Sequence, residues 1–334
     1  MKKHFLFLAM AVAAMTGCMK DEVVATYEPT PQAIGFESFV NKATKGVTET
    51  TNDITKFYVS AFYLNNGTQD NVFIKEAVTK DGSAWEYDVA TKYWTNNTYY
   101  FAAYAQGDNL DMPSTTLEYT SSKPTFTIPN WTIPYTTAAD SKTTSTATDL
   151  VADFNSEAGT TDRTAKVDIT FQHLLSKVKF TVENTDSKGF TMNITNLTLS
   201  NVKNTGNFLS NSPNETFTVS NWNTTGSAVN NFIPIPKATG MVKNETRVSD
   251  VLYVLPQALA DVEFSITAEF YDGDDLVYTK TVGGTISRNT YDSWQPGYSY
   301  EYTIQLPSSA QPIEFGTASV NGWETVTGIE LNSL

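Results

Sequence analysis

The stretch Val167-Asp-Ile-Thr-Phe-Gln-His-Leu-Leu-Ser-Lys-Val-Lys-Phe-Thr-Val182 decides the fold class. Val167, Ile169 and Phe171 alternate with Asp168, Thr170 and Gln172. That is the period-2 pattern of a strand with one face buried. Further on, the apolar set moves to Val178, Phe180 and Val182. Odd positions have become even ones. A regular strand cannot do this, because a one-residue slip turns every side chain over. The change predicts a kink, bulge or turn between His173 and Lys177. The stretch reads as the opening of a second β-domain, 161–334, after a first one over 33–160.

The same pattern extends in both directions. Downstream, Val262, Phe264, Ile266, Ala268 and Phe270 alternate with Glu263, Ser265, Thr267 and Glu269. Asp272-Gly273-Asp274-Asp275 predicts a hairpin turn into 276–282. Tyr298, Tyr300, Tyr302, Ile304 and Leu306 alternate again. Residues 192–202 read as one strand, and 208–219 as another, broken at Ser212-Pro213. Upstream, 57–64 is apolar on both faces, as in a central strand. Asn65-Asn66-Gly67 and Asp81-Gly82 are turn signals. Residues 72–78, 85–89 and 99–104 read as further strands, and Ile34 and Phe36 share one face of a short strand over 33–40. Residues 111–148, rich in Pro, Ser and Thr, read as a long loop with one or two edge strands, where Pro is tolerated. Many short strands with turn signals, and no long segment of period 3.6, predict an all-β sandwich architecture.

Composition narrows the function. The net charge of −14 becomes −16 when a leader carrying Lys2 and Lys3 is removed. No cluster of Lys and Arg offers the basic footprint that phosphate binding needs, so nucleic acid is not an expected partner. Cys18 is the only cysteine, which rules out an intrachain disulfide. Outside the leader, His173 is the only histidine. That leaves no histidine–cysteine pair and no His-rich metal site, and it argues against a Ser-His-Asp triad. His173, beside Leu174 and Leu175 at the kink, reads as a structural histidine. Asp272, Asp274 and Asp275 have a calcium-loop flavour, but no Glu closes the loop and Gly273 favours a hairpin tip. No cofactor, metal or catalytic residue is expected.

The N-terminus carries an address. Lys2 and Lys3 precede an apolar run over 5–15, the length of a signal-peptide core and too short for a membrane helix. Met15-Thr16-Gly17-Cys18 follows and resembles a lipobox. That resemblance implies cleavage after residue 17 and a lipid on Cys18, which anchors the precursor to a membrane. Lys20-Asp21-Glu22 resembles a surface-export signal, and 18–32 reads as a tether.

Several segments, in order, resemble the fimbrillin family of Bacteroidales, the subunits of type V pili and their lipoprotein relatives. They are the lipobox at Cys18, Ile34-Gly-Phe36, Thr98-Tyr-Tyr-Phe-Ala-Ala-Tyr104, Asp149-Leu-Val-Ala152 and Phe171-Gln-His-Leu-Leu-Ser-Lys-Val178. Tyr253-Val-Leu-Pro-Gln257, Trp294-Gln-Pro-Gly-Tyr-Ser-Tyr-Glu-Tyr302, Ile313-Glu-Phe315 and Val320-Asn-Gly-Trp323 complete the set. The resemblance implies two transthyretin-like β-sandwich domains in tandem. It also implies assembly by strand exchange: a trypsin-like protease removes the first strand, and a strand from another pilin subunit fills the groove.

Carried onto this sequence, the removable strand holds Ile34 and Phe36, and the cut follows Lys42 or Lys45. The family's cut follows an arginine, whereas the first arginine here is Arg163. Either a protease that accepts lysine acts, or the subunit is not cut and stays lipidated, as an anchor does. The candidate donor strand is 324–334, where Thr327, Ile329 and Leu331 share a face; the alternative is the last strand of its own domain. Three functions are thus weighed: a stalk or tip subunit of a cell-surface pilus; an uncut outer-membrane lipoprotein that anchors a pilus or binds glycans or host protein; and an enzyme, which the missing catalytic set disfavours.

Overall fold

The computed structural model describes residues 30–40, 54–106, 114–133, 135–137, 143–145, 149–229, 237–286, 291–307, 314–322 and 331–332. Described regular structure is almost wholly strand, apart from one turn of 3-10 helix at Val219–Asn221, so the fold is all-β as the sequence predicts. In chain order the first strands are β1 (Phe36–Val40), β2 (Lys56–Asn65), β3 (Thr68–Asp81), β4 (Ala84–Tyr87), β5 (Thr98–Gln106), β6 (Thr116–Thr120) and β7 (Lys123–Thr132). Next come β8 (Tyr135–Thr137), β9 (Thr143–Ser145), β10 (Leu150–Ala158), β11 (Val167–His173), β12 (Ser176–Asn184), β13 (Thr191–Ser200), β14 (Val202–Ser210) and β15 (Trp222–Val229). The last are β16 (Ala238–Met241), β17 (Thr246–Val248), β18 (Leu252–Val254), β19 (Gln257–Ala258), β20 (Glu263–Asp272), β21 (Asp275–Thr285), β22 (Ser293–Trp294), β23 (Tyr298–Leu306), β24 (Glu314–Gly322) and β25 (Leu331–Asn332).

A seven-stranded sheet runs β1-β11-β10-β5-β2-β3-β4. Both faces are buried at its middle, which explains why β2 and β5 are apolar on both sides. One face packs Tyr58, Ala102, Tyr104, Ala152 and Phe154 against a four-stranded sheet, β15-β14-β7-β6, which supplies Phe126, Ile128, Phe208 and Trp222. The other face curls around Phe36, Phe57, Val59, Phe101, Val167, Ile169 and Phe171, until the edge strands β1 and β4 meet. The third core lies between β17-β12-β23-β24-β25 and β16-β13-β20-β21, with Phe180, Tyr302, Phe264 and Phe270 at its centre.

The alternations over 167–173, 176–184, 263–272 and 298–306 appear as β11, β12, β20 and β23, with their apolar positions buried except Tyr298 at the exposed start of β23. Asn66 (φ 50°) and Gly67 (φ 80°) both take the left-handed conformation that a two-residue hairpin requires between β2 and β3. The change of face falls at Leu174 and Leu175, between β11 and β12. There the chain leaves the seven-stranded sheet for the next one, and both leucines are buried in the core under β14 and β15.

Strand pairing does not break at residues 160/161. β11 pairs with β10 and β1, so it completes the first sheet rather than opening the second body. The expected strand over 192–202 is β13, which ends at Ser200; Asn201 (φ 67°) turns the chain into β14 of a different sheet, so the strand expected over 208–219 starts at Val202 and ends at Ser210. Two features hid this: a register shift between Ile194 and Asn196, and the absence of a Gly or Pro at the crossing. Nor is 111–148 only a loop with edge strands. β6 is an edge, but β7 lies between β6 and β14. Its Pro129 sits where the β14 register shifts, between the pairs Gly206–Trp131 and Phe208–Ile128, and bulges accept proline.

Candidate assembly site: the seat of the first strand

β1 is the edge strand of the seven-stranded sheet and runs parallel to β11, with Phe36 opposite Val167 and Val40 opposite Phe171. Parallel pairing is reached here by a strand that starts the described chain and joins β11 far along the sequence. The residues just before it are clasped from the other side. Ile34 N donates to Lys92 O at 2.8 Å and Trp94 N donates to Gln32 O at 3.0 Å, while on the β11 side Val167 N donates to Gly35 O at 2.8 Å. The Tyr87 hydroxyl donates to Ile34 O at 3.0 Å and accepts from Lys92 N at 3.3 Å.

Alternation then fills the core. Ile34 and Phe36 point inward and are each 1% exposed. The Phe36 ring meets four others edge-on: Phe73 at 5.5 Å, Phe57 and Tyr87 at 6.0 Å, and Phe101 at 6.2 Å between centroids. Burial of each such side chain contributes roughly 1.5–3 kcal/mol. Glu37, on the opposite face, pairs with Lys166 at 3.2 Å, an exposed contact of small energetic weight. The segment therefore has the attributes of a plug: an edge position, two apolar side chains two residues apart, a backbone ladder with β11, and two backbone hydrogen bonds to residues 92–94 on the other side.

A tight corner follows β10. A Cβ at Gly159 would lie 2.5 Å from Thr95 O and 2.6 Å from the Tyr99 ring, so only glycine fits. Beside it, Arg163 donates to Glu157 Oε2 at 2.8 Å and to Ala158 O at 2.9 Å, and lies 4.6 Å over the Trp94 ring. The guanidinium is thus held in place, and the other described arginine, Arg247, is paired with Glu245. Ile34 and Phe36 lie together on the buried face of this segment. Cys18, Lys42, Lys45, Thr327 and Ile329 lie outside the described residues. Leu331, in β25, pairs with Phe315 of β24 in its own chain. Sequence reasoning missed the clasp formed by Tyr87, Lys92 and Trp94; its only signal was a few aromatic residues isolated in a polar stretch.

Residues 42–323 match the fimbrillin-like family. The chain belongs to that family. Among solved structures, a fimbrial protein from Bacteroides vulgatus shares the fold: the TM-score is 0.57 at 15% identity, over 87% of this chain and 99% of that one. The fimbrial anchor protein Mfa2 from Porphyromonas gingivalis aligns with a TM-score of 0.40 at 10% identity, over 90% of this chain and 100% of that one. No curated protein matches. As a fimbrillin-like protein the chain is structural rather than enzymatic, with a pilus-related or adhesive role at the cell surface.

Other features of this fimbrillin-like chain have structural duties. His173 is 5% exposed, and its Nδ1 lies 2.5 Å from Asp149 Oδ2, which ties β11 to the start of β10. Asp272 to Asp275 form the tip of the β20–β21 hairpin, with Gly273 at φ 62°. A shallow, open cleft of about 280 Å³ lies beside a bulge in β3, lined by Ser60, Gln69, Asn71, Lys75, Thr115 and Glu118 among others. Lys75 takes φ 49° there, and its N–H donates to Ser60 Oγ at 3.0 Å.

Proposed function

We propose that the protein is a stalk or tip subunit of a cell-surface pilus, assembled by removal of β1 and insertion of a strand from a neighbouring subunit. The observation that carries this is the plug-like seat of β1. Loss of β1 leaves unpaired backbone groups on β11 and an apolar socket lined by Phe57, Phe73, Tyr87 and Phe101. An incoming strand with apolar residues two apart satisfies both at once. Head-to-tail donation does not close on itself and so builds a filament. In this reading the precursor reaches the outer membrane through lipid on Cys18. A trypsin-like protease then cuts after Lys42 or Lys45, and two β-sandwich bodies remain as the polymerising unit. The tail bearing Thr327, Ile329 and Leu331 is the proposed donor.

The test is the N-terminus of the protein recovered from the cell surface, by intact mass and peptide mapping. A chain starting at Ala43 or Gly46 supports the pilus subunit. A chain starting at acylated Cys18, with Ile34 and Phe36 still attached, overturns it in favour of an uncut anchor or a glycan- or host-protein-binding lipoprotein. Two observations favour that second reading: both described arginines are engaged in ion pairs, and the cleft beside the β3 bulge is open to solvent.

A further inference from the structure

The seam between β10 and β11 is incomplete as a backbone ladder. Its register runs only through Val151–His173 and Ala152–Gln172, with Leu174 N donating to Leu150 O beyond the end. Toward β1, two side chains of β10 take the ladder's place. Asp153 Oδ2 accepts from Thr170 N at 3.0 Å and from Asn155 Nδ2 at 2.8 Å. Asn155 Nδ2 also donates to Asp168 O at 3.1 Å. Both residues are 6% exposed. The strand that carries β1 on its outer side is therefore held, over 168–170, by one carboxyl and one carboxamide.

The polar atoms of this pair do not balance if Asp153 is ionised. Asn155 Oδ1 is buried and meets no donor. Turning the amide over gives no relief, because its oxygen would then face Asp153 Oδ2 and Asp168 O, both acceptors. A buried acceptor without a donor is costly, and so is a buried carboxylate without a cation. Among the described residues no cation is paired with Asp153: Arg163 is engaged by Glu157 and Lys166 by Glu37. One added atom cures both faults. A carboxyl and a carboxamide pair naturally through two hydrogen bonds, N–H to O and O–H to O; here the first is made, and a proton on the carboxyl would supply the donor that Asn155 Oδ1 lacks.

We propose that Asp153 is a protonated acid in the folded protein, that it donates its proton to Asn155 Oδ1, and that this hydrogen bond fastens β11, and β1 with it, to β10. Burial pushes the Asp153 carboxyl up to about 7, against the hydrogen bonds from Thr170, Asn155 and Phe154 that pull it down, and Glu157 adds to the rise. The proton is present below neutrality and lost above it. The first strand is then seated firmly in mildly acidic surroundings and loosened in alkaline ones. The other ionisable groups facing the seam are Asp149 and His173 at its far end, Glu157 further along β10, Asp168 on β11, and Glu37, Arg163 and Lys166 around β1. All of these remain in an Asp153 variant.

The protonation stands by itself; its bearing on strand exchange rests on the pilus reading. The experiment uses the intact chain without protease, so a chain that is never cut gives the same answer. Carboxyl carbon shifts of labelled aspartates are followed from pH 4 to pH 9, and the protection factor of the Thr170 amide is measured alongside. Asp153 is expected to titrate near pH 7, with Thr170 protection rising about tenfold from pH 8 to pH 6. The Asp153→Asn variant presents an N–H to Asn155 Oδ1 and an oxygen to Thr170 N. It should fold, protect Thr170, and lose the pH dependence. A midpoint below pH 5 in the wild-type chain overturns the proposal, whether or not the variant folds. So does a folded Asn variant that retains the tenfold change.

Discussion

Phe36 is the residue on which the seat of the first strand turns. Four rings close around it, and truncation to alanine leaves a hole that a packed aromatic cluster cannot collapse to fill. Phe36→Ala is expected to cost about 3–5 kcal/mol by chemical denaturation. Tyr87→Phe removes only the hydroxyl that bridges Ile34 O and Lys92 N, and should cost about 0.5–1.5 kcal/mol. Equal losses from the two would mean that the ring cluster is not what holds the strand. Asp153 adds a pH term at the same scale. Its folded value, about 7, lies above its ordinary 3.8, so the fold favours the neutral form. The stabilisation is complete below the ordinary value and lost as pH rises through the folded one. Moving from pH 8 to pH 5 should therefore raise stability by about 2–3 kcal/mol through this group, and Asp153→Asn should remove that gain.

At the scale of elements, the strands with clean alternation were legible and the irregular ones were not. β11, β12, β20 and β23 each bury one face of a two-layer structure, and nothing but period two is needed to find them. β7 and the β13–β14 passage contain a bulge, a register shift and left-handed asparagines, which break the period without ending the pairing. The inward face of β1 was legible, since Ile34 and Phe36 announce it; the clasp by Tyr87, Lys92 and Trp94 was not, because contacts between distant loops leave no periodic trace. Edge strands carry a further requirement. β21 is an edge of its sheet, and its Lys280 points inward, 8% exposed, with Nζ donating to Pro307 O at 3.3 Å. Burial lowers its pKa. An inward charge on an edge discourages pairing with a foreign strand. Lys280→Val should fold yet self-associate, and light scattering that shows it as monodisperse as the wild type would refute this role for the lysine.

Across the whole molecule, the two halves of the chain share one sheet. β14 and β15, from the second half, pair onto β7, from the first, and bury Phe208, Phe217 and Trp222 beside Phe126 and Ile128. A fragment of 161–334 lacks β7 and exposes that apolar face. Expressed alone, it should be insoluble or bind a hydrophobic dye, whereas 33–334 should be soluble and silent to the dye. A soluble, well-dispersed fragment would show that the second half folds without the first. This pairing across residues 160/161 is not legible in the sequence, because a strand's sheet partners, unlike its period, are set by long-range packing.

The parallel seat of β1 also has a mechanical meaning. Tension applied to the residues before Gln32 and directed along the strand axis loads the five register pairs with β11 together, in shear. Tension across the strand would part them one after another, like a zip. A chain held by its beginning is thus strong along one direction and weak along the other, and the strength lies in strand geometry rather than in any added covalent bond.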